Sequence, residues 1–168
     1  MIPLLQPPWY TWALAELGVA EVPGMIHNPR IIKYWSIGRV PLSVNDDEVP
    51  WCAAFVSAAI ESVGYRSART ARARGFDLGN CDQGENQVGT IIVLSSDRGA
   101  ASGHVGFLSA TSPGRVHVLG GNQGNKVSIA PFPESRVVHR LWPKSAPDNN
   151  RYSLAPVVKS SGSTPSDR

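Results

Sequence analysis

The chain has 168 residues, 42% of them apolar and 17% charged, with a formal net charge of +3 and a pI near 9.1. That length and balance fit one globular domain with a sizeable core and exclude a disordered or collagen-like chain. Two cysteines are too few for a disulfide framework, no Cys or His pair has metal-ligand spacing, and no apolar run approaches the roughly 20 residues that span a bilayer.

The amino terminus, MIPLLQPPWYTWAL, has no basic lead-in and carries Pro3, Pro7 and Pro8 ahead of any helix, so it does not read as a secretory signal. Pro7 and Pro8 lead into WYTWALAELG, where Leu14 and Leu17 with Trp9 or Tyr10 predict a short amphipathic helix that Gly18 ends. EVPG, residues 21–24, is a turn. Asn28 as cap and Pro29 in the first turn open a second helix through RIIKYWSIG, closed by Gly38. A third helix runs from about Pro50 to Val63, with Asp46 or Asp47 capping the approach. Its apolar residues fall on nearly every face, so it belongs in the centre of the fold.

RSARTARARG, residues 66–75, is the one basic cluster and reads as a solvated segment; no zinc-finger or RNA-binding signature accompanies it, and nucleic acid is not expected as a partner. After Gly84, β-branched runs and frequent turn residues predict strands at 88–95, 104–110, 115–120, 126–132 and 136–142. Helices first and an antiparallel sheet second make an α+β domain over residues 1–143. Residues 144–168 are rich in Ser, Pro, Asn and Lys and read as a flexible tail.

Cys52 draws attention because it stands at the mouth of the apolar helix, behind Pro50 and Trp51. A thiolate attacks and a thiol hardly does, and a helix N-terminus favours the anion through its unpaired N–H groups and positive dipole end. Buried cysteines are also common small hydrophobes, so position alone leaves both readings open. Cys81 lies in the turn-rich GNCDQGENQ and is expected to be a free thiol, since pairing it with Cys52 would quench the nucleophile.

A cysteine nucleophile needs a base and a polar group that orients it. Of the four histidines, His27 precedes a helix, and His117 and His139 fall within strands. His104 follows the small-residue run GAASG and has Gly106 beside it on the same face. If strands 104–110 and 115–120 pair across a turn centred on Pro113, Asn122 stands opposite His104, within reach of its ring. Asn122 in LGGNQGN is equally good turn chemistry.

ELGVAEVPG, NPRIIKYW, DDEVPWCAAFVSAAIESVGY, SGHVGFL and VLGGNQGNKVSI, in that order over residues 9 to about 143, resemble the papain-like cysteine hydrolases of the NlpC and CHAP type found among phage endolysins and bacterial cell-wall enzymes. The resemblance implies a central nucleophile helix packed on an antiparallel sheet, no metal or other cofactor, and hydrolysis of an amide bond in the peptide part of peptidoglycan, by an amidase or an endopeptidase. It makes Cys52 the nucleophile, His104 the general base and acid, and Asn122 the orienting residue. The Cys52 N–H would hold the oxyanion with a second donor, Gln123 or a loop amide. Trp51 is a candidate groove wall or else a core residue, and Glu48 a candidate for a cationic substrate group or else a helix-end charge. The expected protein is a monomer that is made in the cytoplasm and reaches the wall by release or injection, with an inhibitor protein as partner if it is an injected antibacterial effector. A catalytically silent wall-binding or phage structural module, and a cysteine protease or acyltransferase on proteins, are the competing readings.

Overall fold

The computed structural model describes residues 4–22, 28–41, 51–99 and 102–159. Residues 23 and 24 of the expected turn at 21–24, together with His27, Asp46, Asp47, Glu48 and Pro50, lie outside the described residues. Three helices come first, α1 (Pro8–Leu14), α2 (Pro29–Ile37) and α3 (Cys52–Ser62). Six strands follow: β1 (Cys81–Gln83), β2 (Ile91–Ser95), β3 (Gly103–Ser112), β4 (Arg115–Gly120), β5 (Ser128–Pro133) and β6 (Val137–Pro143). They form one sheet in the order β1-β6-β2-β3-β4-β5, with every neighbouring pair antiparallel. The α+β class is as expected, and the architecture is compatible with a papain-like CHAP fold.

Local chemistry accounts for the helices. Asn28 caps α2 by accepting from the Arg30 N–H at 2.8 Å, Pro29 fills the first turn, and Gly38 stands at the C-cap. Residues 52–60 of α3 are all buried, because its alanines let the helix lie close to its neighbours on every side. Trp51 stands at its N-cap and offers no side-chain cap to the first-turn N–H groups.

The sheet sorts its side chains by alternation. Ile91, Val93, Val105, Phe107 and Leu119 join the core shared with the helices, whereas Ile92, Leu94, Leu108, Val118 and Phe132 form a second core on the opposite face. Strand β1 has no counterpart among the expected strands: three residues inside a turn-rich loop carry no periodicity, and only pairing with β6 makes them a strand.

The basic stretch differs from its expected solvated state. Glu61, near the end of α3, accepts from Arg69 Nε and Nη2 at 3.0 and 3.1 Å and from the Ser67 N–H and hydroxyl at 2.7 and 2.9 Å. Further along, the aliphatic part of Arg74 lies against Gly103 while Nη1 donates to Ser102 O at 3.4 Å. One mostly buried carboxylate and the edge of β3 thus fix a segment whose composition suggests only solvent.

Burial pushes the Glu61 carboxyl up, but its bonds from Arg69 and Ser67 outweigh that and hold it below the usual carboxylate range. The unfolded chain therefore binds this proton more readily, and the stabilisation is present above the ordinary carboxylate value and lost as pH falls through the folded one. Urea midpoints measured from pH 6 down to pH 3 should fall more steeply for the wild type than for Glu61→Gln. At neutral pH the variant should be less stable by about 1–3 kcal/mol. Parallel curves would show that the carboxylate contributes nothing.

Residues 144–158, read from composition as part of a tail, are docked. Ser153 bonds through its N–H to Leu5 O at 2.8 Å and accepts from Val88 N at 3.0 Å, and Ala155 donates to Asn86 O at 2.8 Å. Tyr152 packs on Trp142 and Trp9 at ring separations of 5.8 and 6.3 Å. Backbone donors and one aromatic ring suffice to hold a segment with few large side chains. Residues 160–168 lie outside the described residues.

Candidate active site

Cys52 and His104 come from different layers of the molecule. Cys52 is the first residue of α3, in the helix-side core, and is 2% exposed. His104 pairs directly with Leu94, whose side chain belongs to the second core, and its ring stacks on Phe132 of that core at 5.4 Å, so His104 lies on the opposite sheet face. The end of β4 links the two. A side chain at Gly121 would meet the Trp51 ring at 2.7 Å and Phe55 Cβ at 2.9 Å, and Trp51 and Phe55 flank Cys52 on the helix. One added at Gly120 would meet His104 Nε2 at 3.2 Å and press on Gln123 Oε1. Two successive residues without a Cβ therefore face the Cys52 end of α3 on one side and the imidazole on the other.

His104 bonds through Nε2 to Gln123, the residue that follows the expected partner Asn122. Nε2 of His104 and Oε1 of Gln123 are 2.8 Å apart in a fully buried contact. The expected register does hold at Phe107↔Leu119 and Leu108↔Val118, with a bulge shifting it by one residue nearer the turn. It does not reach position 122, because β4 stops at Gly120 and Asn122 takes a left-handed backbone with φ +59°. Asn tolerates that conformation better than most residues. The strand alternation ends there, and the bend turns the next side chain back under the sheet.

Gln123 fixes the tautomer as well as the position. Its Nε2 donates to Val118 O at 3.0 Å and to Ser128 O at 2.8 Å, which assigns the amide oxygen to the histidine side. An amide oxygen only accepts, so the imidazole carries its hydrogen on Nε2, and the neutral ring has its lone pair on Nδ1. The same bonds correct the expectation of Gln123 as an oxyanion donor, since both amide hydrogens are committed to carbonyls.

Trp51 is a core residue rather than a groove wall. It is 4% exposed, sits 6.0 Å from the Tyr34 ring, and donates from Nε1 to Glu21 Oε1 at 2.8 Å. Glu21 in turn donates from its backbone to Asn125 O at 2.9 Å. The residue before Cys52 is thereby tied to the loop that carries Gln123. Asn122 is also buried at this end, 4% exposed.

The other two described histidines stand apart from this arrangement. His117 bonds to Ser112 Oγ at 2.9 Å beside the β3–β4 turn, and burial, then the Arg115 cation, lowers its pKa. His139 pairs with Val93 in β6. Among the described residues no cluster of His, Cys, Asp and Glu has the makings of a metal site, and no helix is long and apolar enough to cross a membrane.

Neither Cys81 nor Cys52 is in a disulfide. Burial, with Asp77 and Asp82 adding to it, pushes the Cys81 thiol up to about 12, so it is protonated at neutral pH. Iodoacetamide applied to the native protein at pH 7 should leave Cys81 unmodified on peptide mapping, and full labelling of Cys81 under those conditions would contradict its protonated state.

The CHAP domain family model matches residues 44–122, a span that contains Cys52, His104 and Asn122 and stops one residue before Gln123. No curated protein and no solved structure matches the chain.

Proposed function

We propose that this chain, which carries a CHAP domain over its central residues, hydrolyses an amide bond in the peptide part of peptidoglycan through a Cys52 thioester, with His104 as acid and base and Gln123 as the residue that orients it. A CHAP domain implies peptidoglycan hydrolysis in general, by cysteine- and histidine-dependent amide cleavage. The observation that carries the residue assignment is the 2.8 Å bond from His104 Nε2 to Gln123 Oε1, because it leaves Nδ1 as the basic atom of the ring.

In this reading the Cys52 proton passes to Nδ1 as the sulfur attacks the scissile carbonyl. Burial penalises a lone thiolate, so the charge is stable there only beside an imidazolium. The oxyanion is held at the first turn of α3, where the Cys52 N–H and the positive helix end favour negative charge. His104 then gives its proton to the leaving amine, and water hydrolyses the thioester. Gln123 keeps accepting from Nε2–H throughout and stabilises the imidazolium between the two proton transfers.

The substrate bond belongs to an N-acetylmuramoyl-L-alanine amidase or to an endopeptidase within the stem peptide, in phage lysis or as an antibacterial effector. Digestion of purified walls of both the diaminopimelate and the lysine type, followed by mass spectrometry, tests the reading. Soluble fragments with new amino and carboxyl ends should appear, and the masses name the bond. Absence of fragments from every wall type, with the wall retaining the protein, would favour a binding module instead.

A further inference from the structure

The hydrogen bond at Nε2 holds one corner of the His104 ring and does not by itself set the ring's tilt about that bond direction. The face of the ring lies on Phe132, with centroids 5.4 Å apart and planes 32° from parallel. Phe132 is wholly buried on β5 and is carried there by Val116 of β4. Arg136, in the 3-10 turn that follows β5, places its guanidinium 5.5 Å from the Phe132 centroid. Arg136 is itself anchored, because Nε and Nη2 both donate to Ser95 O at 2.8 and 2.5 Å. Ser95 pairs with Gly103, the residue before His104.

These contacts close on themselves. Starting from His104 they run to Phe132, to Arg136, to the Ser95 carbonyl and back to β3 at Gly103, using four separate elements. From this closed loop we propose that Phe132, clamped by Arg136, is the positioning residue that sets the plane of the His104 imidazole and so aims Nδ1. The proposal rests on the reading of His104 as acid and base. Gln123 fixes which nitrogen is basic, and the Phe132–Arg136 pair fixes where that nitrogen points. A ring held at one corner only would spend much of its time with Nδ1 out of line, and proton transfer depends steeply on that alignment.

The experiment compares Phe132→Leu with Phe107→Leu. Both remove a wholly buried ring from the same sheet, but Phe107 lies on the helix-side face away from the His104 stack. Phe132→Leu should lower kcat on wall fragments about tenfold or more with KM within about twofold, whereas Phe107→Leu should keep kcat within about twofold. Arg136→Gln should reproduce part of the Phe132→Leu loss, and Arg136→Lys should recover some of it. The imidazole carbon-bound proton resonances of His104 should move downfield in Phe132→Leu, as the ring current is lost, and stay in place in Phe107→Leu. Equal kcat in the two Phe variants, or unmoved His104 resonances in Phe132→Leu, would overturn the proposal. If the wild type cleaves no wall the proposed function fails, and the resonances still decide whether Phe132 holds the ring.

Discussion

Cys52→Ala should release no soluble wall fragments above background, an expected loss of about 10⁴-fold or more, because the variant has no atom to form the proposed thioester. The substitution removes one sulfur from a position 2% exposed and keeps a good helix former at the start of α3, so the melting transition should stay cooperative. Activity and stability are thereby separated in one protein. His104→Ala should match the Cys52→Ala loss, while His117→Ala and His139→Ala retain most of the wild-type rate, since those rings bond at the β3–β4 turn and lie in β6. Fragment release by Cys52→Ala equal to wild type would remove the sulfur from the mechanism. Loss in His117→Ala without loss in His104→Ala would move the base to another site.

Gln123→Ala should lower kcat by about 10²- to 10⁴-fold, the range seen when the partner that fixes a catalytic histidine's tautomer is removed. KM should change little, because Gln123 is 1% exposed and its polar atoms are committed to His104, Val118 and Ser128. The variant also strands two carbonyls, at about 1–3 kcal/mol for each buried group, so its melting temperature should fall as well. Nitrogen-15 spectra of the imidazole distinguish the two effects: the wild type should show one Nε2–H tautomer, and Gln123→Ala a mixture. Asn122→Ala should keep the single tautomer. If it is Asn122→Ala that mixes the tautomers, the orienting residue is Asn122 and the bond to Gln123 is structural only.

The boundaries of α2 and β4 come out as read because their signals are local. Asn28, Pro29 and Gly38 act on their own backbone, and Arg115 to Val118 alternate between half-buried and buried. The Cys52 helix and His104 strand were legible for the same reason, one from an unbroken apolar run and the other from a strand with a glycine at the second position. The loop after β4 was not. Asn122 and Gln123 are both polar residues between glycines, and extending the strand pairing points the first one at His104. One positive φ reverses that choice, and nothing in GGNQGN states which residue takes it.

By itself, then, the sequence determined the helices, most of the strands and the α+β class, and it singled out Cys52 and His104 as candidates, because periodicity, caps and side-chain chemistry are properties of neighbours along the chain. The tertiary structure alone decided that Gln123 meets the imidazole, that Phe132 and Arg136 lie over its face, that Trp51 is core, and that residues 66–75 and 144–158 are held down. Each of these contacts joins elements distant in sequence, or hangs on a single backbone angle, and its energy exists only once the sheet has assembled.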